Sequence, residues 1–70
     1  MEKIADEMFE ELGYTKKRTK DYVEYNSIFY DKKITYNFNG KNIVIDDKEF
    51  WINMQELKAI YKKCEELKWI

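Results

Sequence analysis

Apolar and polar side chains alternate through residues 21–46, and this pattern constrains the fold more than any other feature of the chain. A period of two predicts β-strands that bury one face. The pattern divides into three strands, at residues 21–30, 33–38 and 41–46. Two-residue turns at Asp31-Lys32 and Asn39-Gly40 would separate them, and Asn-Gly is typical of a type I′ hairpin turn.

The two turns fix a register, and the hydrophobic pattern supports it. A turn at 39–40 pairs Tyr36 with Ile43, and a turn at 31–32 pairs Phe29 with Ile34. Because directly paired residues share a face, both hairpins place their largest apolar side chains on one side. These side chains are Val23, Tyr25, Phe29, Ile34, Tyr36, Phe38, Ile43 and Ile45. We therefore expect an antiparallel meander with one buried face.

Helical periodicity occurs at both ends of the chain. Residues 2–12 carry an apolar stripe with a spacing of four, and Gly13 supplies the left-handed residue that ends a helix. The stripe consists of Ile4, Met8 and Leu12, widened by Ala5 and Phe9. Asn53 and Glu56 form a capping-box pattern for a second helix. Its expected apolar face consists of Met54, Leu57, Ile60, Tyr61, Cys64 and Leu67.

The predicted fold class is α+β, a single domain over residues 1–70 with the order α-β-β-β-(β)-α. Both helices are expected to pack on one face of the meander. The optional strand lies at 49–52, where Asp47-Lys48 would turn the chain back. An extended lead-in to the second helix fits these residues equally well.

The composition argues against an enzyme. The chain has no histidine, which removes the usual general base at neutral pH and the commonest metal ligand. Two glycines cannot build the known phosphate-binding loops. We expect no catalytic residue, no cofactor and no metal site. Cys64, the single cysteine, excludes an internal disulfide and is expected to pack in the core.

The charge balance and hydropathy describe a cytoplasmic protein with no membrane partner. Thirteen basic and fourteen acidic residues leave a net charge of −1, which gives no long-range field for nucleic acid or anionic lipid. No apolar run approaches the roughly 20 residues that a membrane span needs. The charged first residues do not resemble a signal peptide.

One basic stretch is a candidate for phosphate contacts. It consists of Lys16, Lys17, Arg18 and Lys20, and it lies in a predicted connection at residues 15–20. The order of the predicted elements matches the double-stranded-RNA-binding domain, a family that grips phosphates with a lysine cluster at the start of its second helix. Here the corresponding residues, 53–58, contain one lysine and one glutamate. Nucleic-acid binding is therefore unfavoured and stays an alternative.

The second face of the predicted sheet is the candidate binding surface. Its apolar members are Tyr22, Ile28, Tyr30, Val44 and Trp51. Apolar and aromatic side chains within a polar rim are typical of a protein interface. The alternative is an ordinary solvent-exposed face, because strands favour tyrosine in any case. An exposed edge strand at 22–30 would offer a second docking mode by strand addition.

Residues 5–14 (ADEMFEELGY), 54–60 (MQELKAI) and 63–67 (KCEEL) resemble a family of short uncharacterised proteins encoded by phages and prophages of Gram-positive bacteria. The resemblance covers both helices and is loose across the strands. Members often end Glu-Leu-Gly-Trp, and Lys68 here replaces the glycine. The resemblance implies a context, since small phage proteins commonly bind host proteins, including components of anti-phage defence.

These observations favour a non-catalytic protein-interaction module of phage type in the bacterial host cytosol. It would inhibit a host protein, for example a defence nuclease, and would also be able to form a homodimer. Three alternatives remain open at this stage. They are a small nucleic-acid-binding domain, a sponge that holds a signalling nucleotide at a dimer seam, and a structural phage component.

Overall fold

The computed structural model describes residues 3–48 and 51–70. They form a helix, a four-stranded sheet and a second helix, in that order along the chain. The elements are α1 (Ala5–Glu11), β1 (Tyr14–Arg18), β2 (Tyr22–Ser27), β3 (Lys32–Asn37), β4 (Asn42–Asp47) and α2 (Met54–Glu66). All neighbouring strands are antiparallel and the sheet follows chain order, β1-β2-β3-β4. The predicted α+β fold, an antiparallel meander with one helix before it and one after it in the sequence, is therefore confirmed.

The additional strand lies at the start of the sheet, where the sequence predicted a basic connection. β1 pairs with β2, with Lys16 opposite Tyr25. Four of the five residues of β1 are exposed, so apolar and polar residues do not alternate along it. The strand therefore lacks the pattern by which the other strands were predicted. Of the predicted strand at 49–52, residues 49 and 50 lie outside the described residues. Trp51 and Ile52 belong to no strand.

The register of β3 on β4 is the predicted one. Tyr36 pairs with Ile43, and Ile34 pairs with Ile45. The turn itself differs from the prediction, because residues 38–41 connect the two strands and form a longer loop. Lys41, with φ of 51°, occupies the left-handed region in place of Gly40. The predicted two-residue type I′ turn is therefore wrong.

The predicted register of β2 on β3 is also wrong. Ile34 pairs with Tyr25, although the sequence placed Phe29 opposite it. The strand ends earlier because the Ser27 hydroxyl accepts the backbone N–H groups of Phe29 and Tyr30, at 3.2 and 3.1 Å. The resulting shift of four residues is even, so every paired side chain keeps its predicted face. Phe29 itself leaves the sheet and is exposed.

Aromatic rings form the centre of the core on the helix-covered face. The rings of Phe9 and Tyr25 are stacked with centroids 4.0 Å apart. Tyr14 meets Phe9 edge-on at 5.4 Å, and Tyr36 meets Tyr25 edge-on at 5.9 Å. Further buried residues of the cluster are Val23, Ile34, Ala59 and Ile60. Gly13, with φ of 87°, is the predicted left-handed residue after α1, and it leads directly into the unpredicted strand β1.

Helix α2 is rotated relative to its predicted apolar face. The capping box at Asn53 and Glu56 is present, with Glu56 N–H donating to the Asn53 side chain at 2.8 Å. The buried face, however, consists of Glu56, Ala59, Ile60 and Lys63. The predicted core residues Met54, Leu57 and Tyr61 are exposed. The rotation follows from the ion pairs of the two buried charged residues with the sheet and α1.

Candidate functional site

A groove of about 830 Å³ lies between α1 and α2, and we call it the helix groove. Its apolar lining consists of Met8, Leu12, Leu57 and Tyr61. Its polar lining consists of Lys3, Glu11, Gln55, Lys58, Lys62 and Glu65. Among the described residues, the lining comes from α1, α2 and the flanking residues Lys3 and Leu12, and none of it comes from a strand.

The rotation of α2 creates the apolar wall of the helix groove. Leu57 and Tyr61 are four residues apart and therefore neighbours on one helix face. Leu57 is 44% exposed and Tyr61 is 57% exposed. Met54, three residues before Leu57, is 63% exposed. These three side chains form an apolar stripe that faces solvent. Leu57 and Tyr61 line the groove, and Met54 extends the stripe but is not part of the groove lining.

A buried polar cluster holds α2 in this orientation. The ammonium group of Lys32 lies 2.9 and 3.1 Å from the two carboxylate oxygens of Glu56 and 3.6 Å from Asp47. The Tyr14 hydroxyl also donates to Glu56. The Lys32 and Glu56 side chains are only 1% and 6% exposed. The cluster therefore joins α2 to β1, β3 and β4 through groups withdrawn from water.

The protonation states in this cluster follow from burial and hydrogen bonding. Burial alone would raise the pKa of Glu56. Hydrogen bonds from Tyr14, the Asn53 backbone and Lys32 outweigh it and hold that pKa below its ordinary value. Burial, together with the Glu56 carboxylate, raises the pKa of the Tyr14 hydroxyl. Glu56 is therefore ionised and Tyr14 is neutral at pH 7, a state in which each satisfies the other.

A second cluster fixes α1. The Asp6 carboxylate accepts hydrogen bonds from Lys16 and the Tyr25 hydroxyl, both at 2.6 Å, and lies 3.7 Å from Lys63. Burial would raise the pKa of Asp6, but the hydrogen bonds from Lys16 and Tyr25 and the charges of Lys63 and Lys16 lower it overall. The Ala5 N–H donates to the Glu66 carboxylate at 2.7 Å, which joins α1 directly to α2. Both walls of the helix groove are thus held by directional contacts.

The structure does not bring the five predicted partner-binding residues together on the outer face of the sheet. Only Tyr22 and Val44 lie there, on β2 and β4, with β3 between them. Their neighbours on this face are polar, and Lys33 forms an ion pair with Glu24 at 3.5 Å. The outer face therefore has the character of a solvated surface.

The other three predicted residues lie around the β2–β3 connection. Ile28 and Tyr30 belong to residues 28–31 and are exposed. The Trp51 ring lies 3.9 Å from the Lys32 ammonium, and its centroid is 6.3 Å from that of Tyr30. Because Lys32 points toward α2, this group is separate from Tyr22 and Val44. For Ile28 and Tyr30 the cause is the early end of β2 at Ser27, whereas Trp51 follows β4 and belongs to no strand.

The predicted exposed edge at 22–30 is also wrong. β2 is an interior strand paired on both sides, and the edges of the sheet are β1 and β4. Because the residues of β1 were predicted as a connection, the wrong strand was predicted as the free edge.

The basic residues at 16–20 do not form a single surface. Lys16 lies on the helix side and binds Asp6, whereas Lys17 lies on the opposite face of β1. The Arg18 guanidinium lies 5.7 Å from the Phe38 ring centroid. Lys20 lies in the connection between β1 and β2. This distribution does not favour phosphate binding, which needs cations directed toward one ligand.

Comparison with known proteins gives no family: no family model, curated protein or solved structure matches the chain. The resemblance to phage proteins therefore stays a prediction. Within residues 3–48 and 51–70, no helix is long and apolar enough to cross a membrane. The same residues contain no cluster of three or more acidic or cysteine side chains able to hold a metal ion. Cys64 is half-buried, and burial raises the pKa of its thiol.

Proposed function

We propose that this protein is a non-catalytic binding module that holds an amphipathic helix of another protein in the helix groove. The observation that carries the proposal is the apolar stripe of Met54, Leu57 and Tyr61, which faces solvent. The two buried polar clusters hold the stripe in place, so little ordering is needed when a partner binds. A groove between two helices suits a third helix with apolar residues at spacings of three and four.

The stripe is large enough to contribute appreciably to binding. Complete burial of one such side chain stabilises by about 1.5–3 kcal/mol. Between 44% and 63% of each of the three residues remains exposed, so a partner that covered them would gain about 2.5–5 kcal/mol. Residues of this kind, surrounded by a polar rim, commonly act as interface hot spots.

The polar rim indicates what flanks the apolar contact. It carries both signs of charge, with Lys3, Lys58 and Lys62 beside Glu11 and Glu65. A mixed rim favours a partner helix with both acidic and basic residues outside its apolar stripe. The resemblance to phage proteins supports a protein of the bacterial host cytosol, such as a component of anti-phage defence, as the source of that helix.

The proposal is tested by affinity capture from host lysate with three proteins: wild type, Leu57→Lys and Asn39→Lys. Both variants add one lysine at an exposed position, in the helix groove and in the β3–β4 turn respectively. A partner bound through the groove is retained by wild type and Asn39→Lys and lost by Leu57→Lys. Titration calorimetry with the purified partner should then show at least a tenfold weaker affinity for Leu57→Lys, equivalent to about 1.4 kcal/mol.

A Tyr30→Lys variant separates this proposal from binding at the β2–β3 connection. If Tyr30→Lys loses the partner and Leu57→Lys retains it, the helix groove is not the binding surface. Circular dichroism of each variant confirms that the fold is intact before binding is compared.

A further inference from the structure

The two free edges of the sheet differ in chemistry. β1 presents three consecutive cations, residues 16–18, which oppose the approach of another strand. The corresponding part of β4 is Ile43-Val44-Ile45, in which Val44 is 49% exposed and Ile45 is 38% exposed. No described residue pairs with the outer side of β4. β4 is therefore the edge that lacks protection against strand addition.

Hydrogen bonding elsewhere in the sheet shows which backbone groups of β4 are available. The Phe38 N–H donates to the Asp21 carbonyl at 3.0 Å, so even-numbered residues of β3 bond toward β2. Odd-numbered residues of β3 consequently bond toward β4, where their partners are Asn42, Val44 and Asp46. The backbone groups of Ile43 and Ile45 therefore point out of the sheet.

We propose that a second copy of this chain adds its β4 to this edge, antiparallel, and forms a two-fold symmetric dimer with one continuous sheet. In the favoured register, Val44 lies opposite the partner's Val44. Ile43 then pairs with the partner's Ile45. This off-axis pair occurs twice because the interface is isologous.

The matching of apolar residues selects this register over its neighbours. A shift of two residues in one direction places Ile43 opposite the partner's Asp47, and in the other direction places Lys41 opposite the partner's Ile45. Both shifts put a charged group against an apolar one. Odd-numbered shifts would pair outward-pointing backbone groups with inward-pointing ones and lose the hydrogen bonds. Only the proposed register pairs all three apolar residues, 43–45, with apolar residues of the partner.

The dimer also covers apolar surface that the single chain leaves in water. Ile45 lies on the helix side of the sheet and is nevertheless 38% exposed. The partner's Ile43 would lie beside it on that same side. The helix groove does not include β4, so a dimer would present two grooves. The dimer and the proposed function are therefore independent of each other.

The test is the molecular mass in solution, measured by light scattering and sedimentation from about 1 μM to about 1 mM. Wild type is expected to dimerise within this range. Val44→Lys places two ammonium groups opposite each other on the symmetry axis and should raise the dimer dissociation constant at least tenfold. Thr15→Lys, on the exposed outer side of β1, adds the same charge at the other edge and should change nothing.

A charge-pairing experiment then establishes the register. Val44→Asp and Val44→Lys should each be monomeric, whereas an equimolar mixture should form a heterodimer in which the two charges face each other. In wild type, amide hydrogen exchange at Ile43 and Ile45 should slow as concentration rises. A wild type that is monomeric throughout the range, a dimer indifferent to Val44→Lys, or unchanged exchange at these amides would overturn the proposal.

Discussion

Replacing Lys32 with methionine removes the ammonium group that lies between two buried carboxylates, those of Glu56 and Asp47. Methionine retains most of the side-chain volume, so the change tests charge more than packing. Removing one partner of a buried ion pair costs about 3–5 kcal/mol, because the remaining charge stays out of water without compensation. Lys32→Met is therefore expected to lower the free energy of unfolding by this amount.

That loss is large for a chain of this size. Proteins gain roughly 0.05–0.15 kcal/mol of stability per residue, which gives about 4–10 kcal/mol for 70 residues. Lys32→Met should thus remove from about a third to nearly all of the stability. Urea denaturation followed by circular dichroism measures the change, with an osmolyte added where the variant is partly unfolded at zero denaturant.

Lys33→Met is the matched control. Lys33 follows Lys32 in β3, but its side chain is 46% exposed and its ion pair with Glu24 is at the surface. Surface pairs contribute about 0–1 kcal/mol, so this variant should lose no more than that. Equal losses for the two variants would refute the argument that burial makes the Lys32 pair important.

A double variant tests whether the loss of stability in Lys32→Met comes from an uncompensated buried charge. Lys32→Met/Glu56→Gln neutralises one of the two buried carboxylates that the single variant leaves without Lys32, while the glutamine can still accept a hydrogen bond from Tyr14. The double variant should therefore be more stable than Lys32→Met alone. If the second substitution destabilises further, Glu56 does not depend on the Lys32 charge in the way described.

Three further predictions concern the backbone, the helix cap and pH. Gly13→Ala should destabilise by about 1–2 kcal/mol in urea denaturation, since a residue with φ of 87° carries a penalty for any side chain, whereas Gly40→Ala should change little. Asn53→Ala removes the side chain that caps α2 and should cost about 1 kcal/mol by the same measurement. Three buried tyrosines have pKa values raised by burial, so they bind protons in the folded state that the unfolded chain releases above pH 10. They are Tyr14, Tyr25 and Tyr36. Stability should be fully present below pH 10 and fall above it, with tyrosinate absorbance of these residues appearing together with the loss of circular dichroism. Early ionisation of all tyrosines in the folded protein would contradict this.

The sequence predicts the parts of the fold that depend on side-chain periodicity. The sequence correctly predicts which side chains share the inner face of the sheet, because a register shift of an even number of residues leaves each side chain on its face. These residues are Val23, Tyr25, Ile34, Tyr36 and Ile43. The lengths of the connections are less accessible. Ser27 ends β2 through local hydrogen bonds that no hydrophobic pattern reveals. The displacement of Ile28 and Tyr30 from the predicted surface follows directly from that single residue.

The candidate site was missed for a related reason. Hydrophobicity assigned Leu57 and Tyr61 to the core and left Glu56 and Lys63 outside the predicted apolar face. The structure reverses both assignments, because buried charges with suitable partners can replace apolar residues on an inner face. The partners Lys32 and Asp6 are distant in sequence from α2, so no local pattern shows the pairing. The spacing of seven residues between Glu56 and Lys63 was the available signal.

The order of the strands has a consequence for how the chain folds. Each strand pairs with its neighbours in sequence, so the sheet can assemble from successive hairpins without closing a long loop. Contact between the helices is different, since Ala5 and Glu66 are separated by 61 positions. Closing such a loop in an unfolded chain would cost about 4 kcal/mol in entropy, and a preformed sheet shortens the distance to be closed. We therefore expect the hairpins to form first and the docking of α1 on α2 to be the late step, with the helix groove completed only at the end of folding.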